Sequence, residues 1–94
     1  DEVYTLKIAN GDEIVAKVIA EDDTTYTVSK PLTVVPGPQG INMMNSLFTA
    51  NPDQSVTINT NSIAMYVETD DNVRAKYTQA TTGIQVPDKK IIMG

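Results

Sequence analysis

Tyr4–Asp23 reads YTLKIANGDEIVAKVIAEDD, and the order of apolar and polar residues in it decides the fold. Tyr4, Leu6 and Ile8 alternate with Thr5 and Lys7, the period-two pattern of a half-buried strand. Asn10-Gly11 then marks a tight reversal, because this pair tolerates the positive φ that a hairpin needs. Beyond it, Ile14, Ala16, Val18 and Ala20 fall on one face, and Val15, Lys17, Ile19 and Glu21 on the other. The second face is only partly polar, so this strand is expected to be covered on both sides. Glu21-Asp22-Asp23 closes the stretch as an acidic turn.

Working outward, Thr24 to Val35 reads as a third strand, rich in threonine and valine. Pro31 interrupts it, which predicts an edge, a bulge or a sharp bend. A strand bent in this way is what a small barrel needs to turn its corner. Pro36 to Gly40 is a turn-rich connector, and Ile41 to Ala50 shows no clean period. Asn51-Pro52-Asp53 is a further turn, Val56 and Ile58 form a short strand, and Asn59 to Ser62 turns the chain. Ile63, Met65 and Val67 then continue as strand. After Glu68 the pattern changes. Thr69-Asp70-Asp71 reads as a helix cap, and Val73, Tyr77 and Ala80 share one helical face. Gly83 is a natural stop, followed by a tail from Ile84 to Gly94. The expected architecture is mainly all-β, a small, strongly bent, five-stranded open barrel with a C-terminal helix. It is one domain over 1–94: barrel 1–68, with an enlarged hairpin at 36–55, then helix and tail at 69–94.

Composition narrows the function. The chain has 94 residues, no cysteine and no histidine. Disulfides and thiolate metal sites are excluded, and the commonest general base at neutral pH is missing. The carboxylates of Glu21-Asp22-Asp23 and Asp70-Asp71 admit a cation in principle, but a turn and a helix cap account for them. No phosphate-binding glycine loop or nucleophile elbow occurs, so no catalytic residue, metal or cofactor is expected. Twelve acids against seven bases give a net charge of −5, which disfavours phosphate binding. No apolar run approaches the ~20 residues that cross a bilayer, and no signal peptide is recognisable, so a cytoplasmic location is expected.

Two blocks, Leu6–Val28 and Val56–Val67, resemble the two motifs of the Sm-like (LSm/Hfq-type) proteins. Gly11, Ala16, Val18, Asp23 and Tyr26 keep the spacing of the first motif. Alanine replaces its small glycine and Tyr26 its asparagine. Val56-Thr57-Ile58-Asn59-Thr60-Asn61-Ser62-Ile63 keeps the apolar frame of the second, with Asn59 for its arginine and Thr60 for its glycine. The pattern, with Tyr77–Ile84, also resembles small proteins of T4-like phages and cyanophages, which would make the location a host cytoplasm.

The resemblance implies a ring of identical subunits closed by edge-strand pairing, with single-stranded RNA held at the pore. Carried over by position, Asp23, Tyr26, Asn59 and Thr60 would line that site. Tyr26 would stack a base, or it is a core or rim aromatic. Asn59 would bond a base edge, or it is a turn former. Family members usually begin with a short helix, whereas here the helix is C-terminal. Met43, Met44, Leu47 and Phe48 are either an exposed oligomer or partner surface or an ordinary hairpin packed on the barrel. Two functions follow: an RNA-binding ring, or a homo-oligomeric module that binds protein and has lost the RNA site.

Overall fold

The computed structural model describes residues 2–38 and 40–82. Six strands are followed by one helix: β1 (Glu2–Ile8), β2 (Glu13–Glu21), β3 (Thr25–Gly37), β4 (Gly40–Asn45), β5 (Val56–Asn59), β6 (Ile63–Glu68) and α1 (Asp71–Thr82). All pairings are antiparallel, in the order β4-β3-β2-β1-β6, with β5 on β3. The molecule is thus a bent, open, mainly β fold with a C-terminal helix, as the alternating pattern predicts. The sixth strand comes from the enlarged hairpin, whose first part folds back onto β3 with Leu32 opposite Asn45 and Gly37 opposite Gly40.

The β1–β2 hairpin turns where Asn10-Gly11 stands. Gly11 has φ 103°, and the Asn10 side-chain oxygen accepts the Asp12 backbone N–H at 2.9 Å. The Gly11 N–H donates to the Ile8 carbonyl at 2.8 Å. A Cβ at Gly11 would meet nothing within 4 Å, so the glycine is needed for its dihedral and not for space.

Pro31 sits at the bend. Between the pairs Val15–Leu32 and Lys17–Ser29, Ala16 of β2 stands opposite two residues of β3, Lys30 and Pro31. Lys30 adopts φ 52°, a conformation that side chains with a Cβ rarely take. A bulge of this kind sharpens strand bending and local twist. It lets the two halves of β3 serve different partners: Thr25–Val28 pairs with β5 and Leu32–Gly37 with β4.

The curl of the sheet is measured by its tyrosines. β3 and β6 are three positions apart in the strand order. In a flat sheet that is about 14 Å. Yet the rings of Tyr26 and Tyr66 lie 5.7 Å apart. The concave side is therefore closed over a core of Leu6, Ala16, Tyr26 and Val28, edged by Ile8, Ile14, Val56, Ile58 and Ile63.

The opposite face holds Val3, Val15, Leu32 and Tyr77, with Val34, Met43 and Val73 against them. Double-sided burial of β2 follows: Ala16 is covered by the curl and Val15 by the helix. That cover stops short of the strand's end, where Ile19 is exposed. A twelve-residue helix is marginal alone, so α1 depends on this docking. Asp70 caps it, its carboxylate accepting the N–H of Asn72 at 3.0 Å and of Val73 at 3.4 Å. Val73 and Tyr77 face the sheet, whereas Ala80 stays exposed. Thr69 ties the helix start to β1, its hydroxyl 3.0 Å from that of Thr5 and its N–H on the Val3 carbonyl at 3.1 Å. The stop assigned to Gly83 and the tail beyond it lie outside the described residues.

Candidate binding loops and the tyrosine cluster

The acidic turn and the β5–β6 turn, distant in sequence, are brought together. Thr25 pairs with Asn59, the Thr60 N–H donates to the Thr24 carbonyl at 2.9 Å, and the Thr60 hydroxyl to the Asp23 carbonyl at 3.3 Å. Asp23, Asn59 and Thr60 therefore share one end of the curled sheet. Asn59 is exposed, and Thr60 is half-buried by its bonds to the facing turn.

The turn is held by Asp22. One Asp22 carboxylate oxygen accepts the N–H groups of Thr24 and Thr25, both at 2.8 Å, and lies 3.2 Å from each hydroxyl. The two backbone bonds, more than any other cause, hold its pKa below the usual carboxylate value. Asp23 contributes its backbone carbonyl to the Thr60 contact, and its side chain is exposed.

Tyr26 is not presented to solvent at this end. It is 8% exposed and belongs to the concave core, with Ile58 beside it on β5. Of the two roles the sequence leaves open for Tyr26, this placement is the core aromatic. Its ring meets Tyr66 edge-on, at an interplanar angle of 68°. Tyr66 also contacts Tyr4, at 5.9 Å between centroids. A hydrogen bond to Tyr66, then burial, then the nearby Glu21 push the Tyr26 phenol up to about 12. Tyr4 is raised by desolvation first, then by Glu68, Glu2 and Glu21. The three tyrosines thus stand in a negative surrounding. Neither Glu21–Tyr26 nor Asn59–Ser62 contains a lysine or arginine, and Lys30 and Arg74 pair elsewhere, with Asp53 at 3.4 Å and Asp71 at 2.9 Å.

Tyr66 is the residue that sequence reading missed. It is 55% exposed and is the accessible aromatic of the cluster. Ile63, Met65 and Val67 share one strand face by alternation, but the structure divides them. Ile8 pairs with Ile63 and Lys7 with Met65, so Ala64 is an extra residue in β6. One inserted residue reverses the phase of everything after it. Ile63 consequently points into the concave core, Tyr66 turns to the tyrosines, and Met65 and Val67 are 65% and 63% exposed. The signal available in the sequence was the tyrosine itself, set amid the apolar frame of the second motif.

Met43, Met44, Leu47 and Phe48 also divide. Met43 packs under the helix, while Met44, Leu47 and Phe48 are exposed, Phe48 by 79%. Among the described residues no group of three or more acids is arranged to hold a metal ion, and no helix is long and apolar enough to cross a membrane. Searches of family models and of curated proteins found no match to this chain.

Proposed function

We propose that this chain is a non-catalytic, Sm-like module that assembles with copies of itself through strand edges that no described residue occupies, and binds protein. The observation that carries the reading is β6. Among the described residues it pairs with β1 along one edge only, and it exposes Met65, Tyr66 and Val67 in succession. Among the described residues β5 likewise pairs with β3 alone. An open, apolar edge strand is unfavourable in an isolated monomer and recruits another strand. Pairing β5 of one copy with β6 of the next satisfies both edges and, repeated, closes a ring as the family does.

Native mass spectrometry tests this directly. The chain is expected as a closed oligomer, and Met65→Lys with Val67→Lys is expected to shift it to monomer. Both side chains are exposed, so the variant retains the β-sheet circular dichroism of the parent. A parent that is monomeric at micromolar concentration would refute the assembly.

A second reading, single-stranded RNA at the converged loops, is favoured by the bonds that join Asp23 and Thr24 to Thr60. Against it stand the burial of Tyr26 and the absence of a cation in either loop, since RNA affinity rests largely on phosphate neutralisation. Fluorescence anisotropy with a labelled oligouridylate at low salt separates the two. Binding that weakens in Asn59→Ala and Thr60→Ala would establish the RNA site, and none is expected.

A further inference from the structure

The loop after β4, the bend of β3 and the C-terminal end of α1 enclose a cleft of about 290 Å³. Pro31, Leu47, Phe48 and Val56 form its apolar wall, and Ala80 and Thr81 of the helix form its far side. Leu47 and Phe48 are 48% and 79% exposed, an apolar area that a solvated loop does not need. We propose that this cleft is the docking site of the chain's own C-terminal segment.

Three observations select this occupant. The first is position. Thr81 already lines the cleft, and Ile84 follows three residues later. Three extended residues span about 10 Å, so the segment reaches the cleft wall without a long linker. The second is pattern. Beyond Thr82 the segment carries apolar Ile84 and Val86 before Pro87 breaks the run. The third is mass action. A segment tethered so closely has an effective concentration in the millimolar range, above that of a second copy at micromolar protein. The proposal is independent of ring assembly, since β5 and β6 do not contribute their edges to it.

The chain has no tryptophan, so Phe48→Trp places a single reporter on the exposed wall. In the full chain its emission is expected to be blue-shifted and weakly quenched by acrylamide. Ile84→Asp with Val86→Asp, made in the same full-length chain, is expected to move the emission to the red and restore quenching. Dilution leaves the parent signal unchanged, and so do the Met65→Lys and Val67→Lys substitutions that abolish assembly. Red emission in the parent, or emission indifferent to the Ile84 and Val86 changes, overturns the docking. A blue shift lost on dilution also overturns it, because the cover is then a second copy.

Discussion

Tyr77 does two jobs with one side chain. Its ring is 2% exposed and fills the helix-facing core, and its hydroxyl lies 3.0 Å from the carbonyls of both Ser29 and Lys30. Those carbonyls lie at the β3 bulge, where the ladder register breaks. A buried acceptor left without a partner costs about 1–3 kcal/mol. Tyr77→Phe is therefore expected to lower stability by about 1–2 kcal/mol in urea denaturation with little change in m-value. Tyr77→Ala adds a cavity and should cost about 3–5 kcal/mol. If Tyr77→Phe matches the parent, the hydroxyl does not support the bend.

Tyr26 makes a separate prediction. Its folded pKa is raised to about 12 from an ordinary 10.0, so the folded state keeps a proton that the unfolded state releases. The stability this contributes is complete below pH 10 and is lost as the pH climbs towards 12. Alkaline unfolding followed by circular dichroism should show this loss, and Tyr66→Phe, which removes the hydrogen-bond partner, should flatten it. Ultraviolet titration of the phenols would show ionisation extending towards pH 12, and Tyr66→Phe would shorten it.

At the scale of elements, the helix is the most exposed to a single change. Only Tyr77 is buried along its length, and its first turn relies on the Asp70 carboxylate. Asp70→Ala should cost about 1 kcal/mol and reduce helical ellipticity before the sheet unfolds. Asp70→Asn, which keeps an accepting oxygen, should recover most of it. The neighbouring Asp71–Arg74 pair is exposed at both ends and contributes only tenths of a kcal/mol. The strands show the opposite behaviour. β2 is covered on both faces at its centre, at Val15 and Ala16, and pairs on both edges, while among the described residues β5 and β6 each have a single neighbour. The elements with least support are therefore the ones that a partner strand would complete.

At the scale of the whole molecule, eight apolar residues are buried and seven large ones exposed among the described residues. A domain this small gains little from its own core, and oligomerisation is one of the common remedies. If copies bind through the native state alone, association stabilises by mass action. The thermal midpoint should then rise with protein concentration in the parent and be independent of it in the Met65→Lys, Val67→Lys variant. A constant midpoint in the parent across a hundredfold range of concentration (about 2.7 kcal/mol by linkage) would count against assembly.

Much of the fold was legible because its signals are local. Asn10-Gly11 dictates a reversal by its own dihedrals, Pro31 forbids an unbroken strand, Asp70 accepts N–H groups two and three residues ahead, and β1 and β2 show their faces by simple alternation. Those features the sequence determined by itself, and with them a bent β-sheet ending in a capped helix. The remainder belongs to tertiary structure, because it depends on which strand lies alongside. Ala64 is a bulge only relative to β1, and only that register turns Tyr66 inward and Met65 and Val67 outward. Tyr26 is a core residue only because the sheet curls until β3 meets β6. Asp22 holds the acidic turn instead of Asp23 because the chain folds Thr24 and Thr25 back over it. Residues 40–45 form a strand because β3 offers them an edge past the bend. Pairing register and curvature are properties of several strands at once, so no single stretch of sequence encodes them.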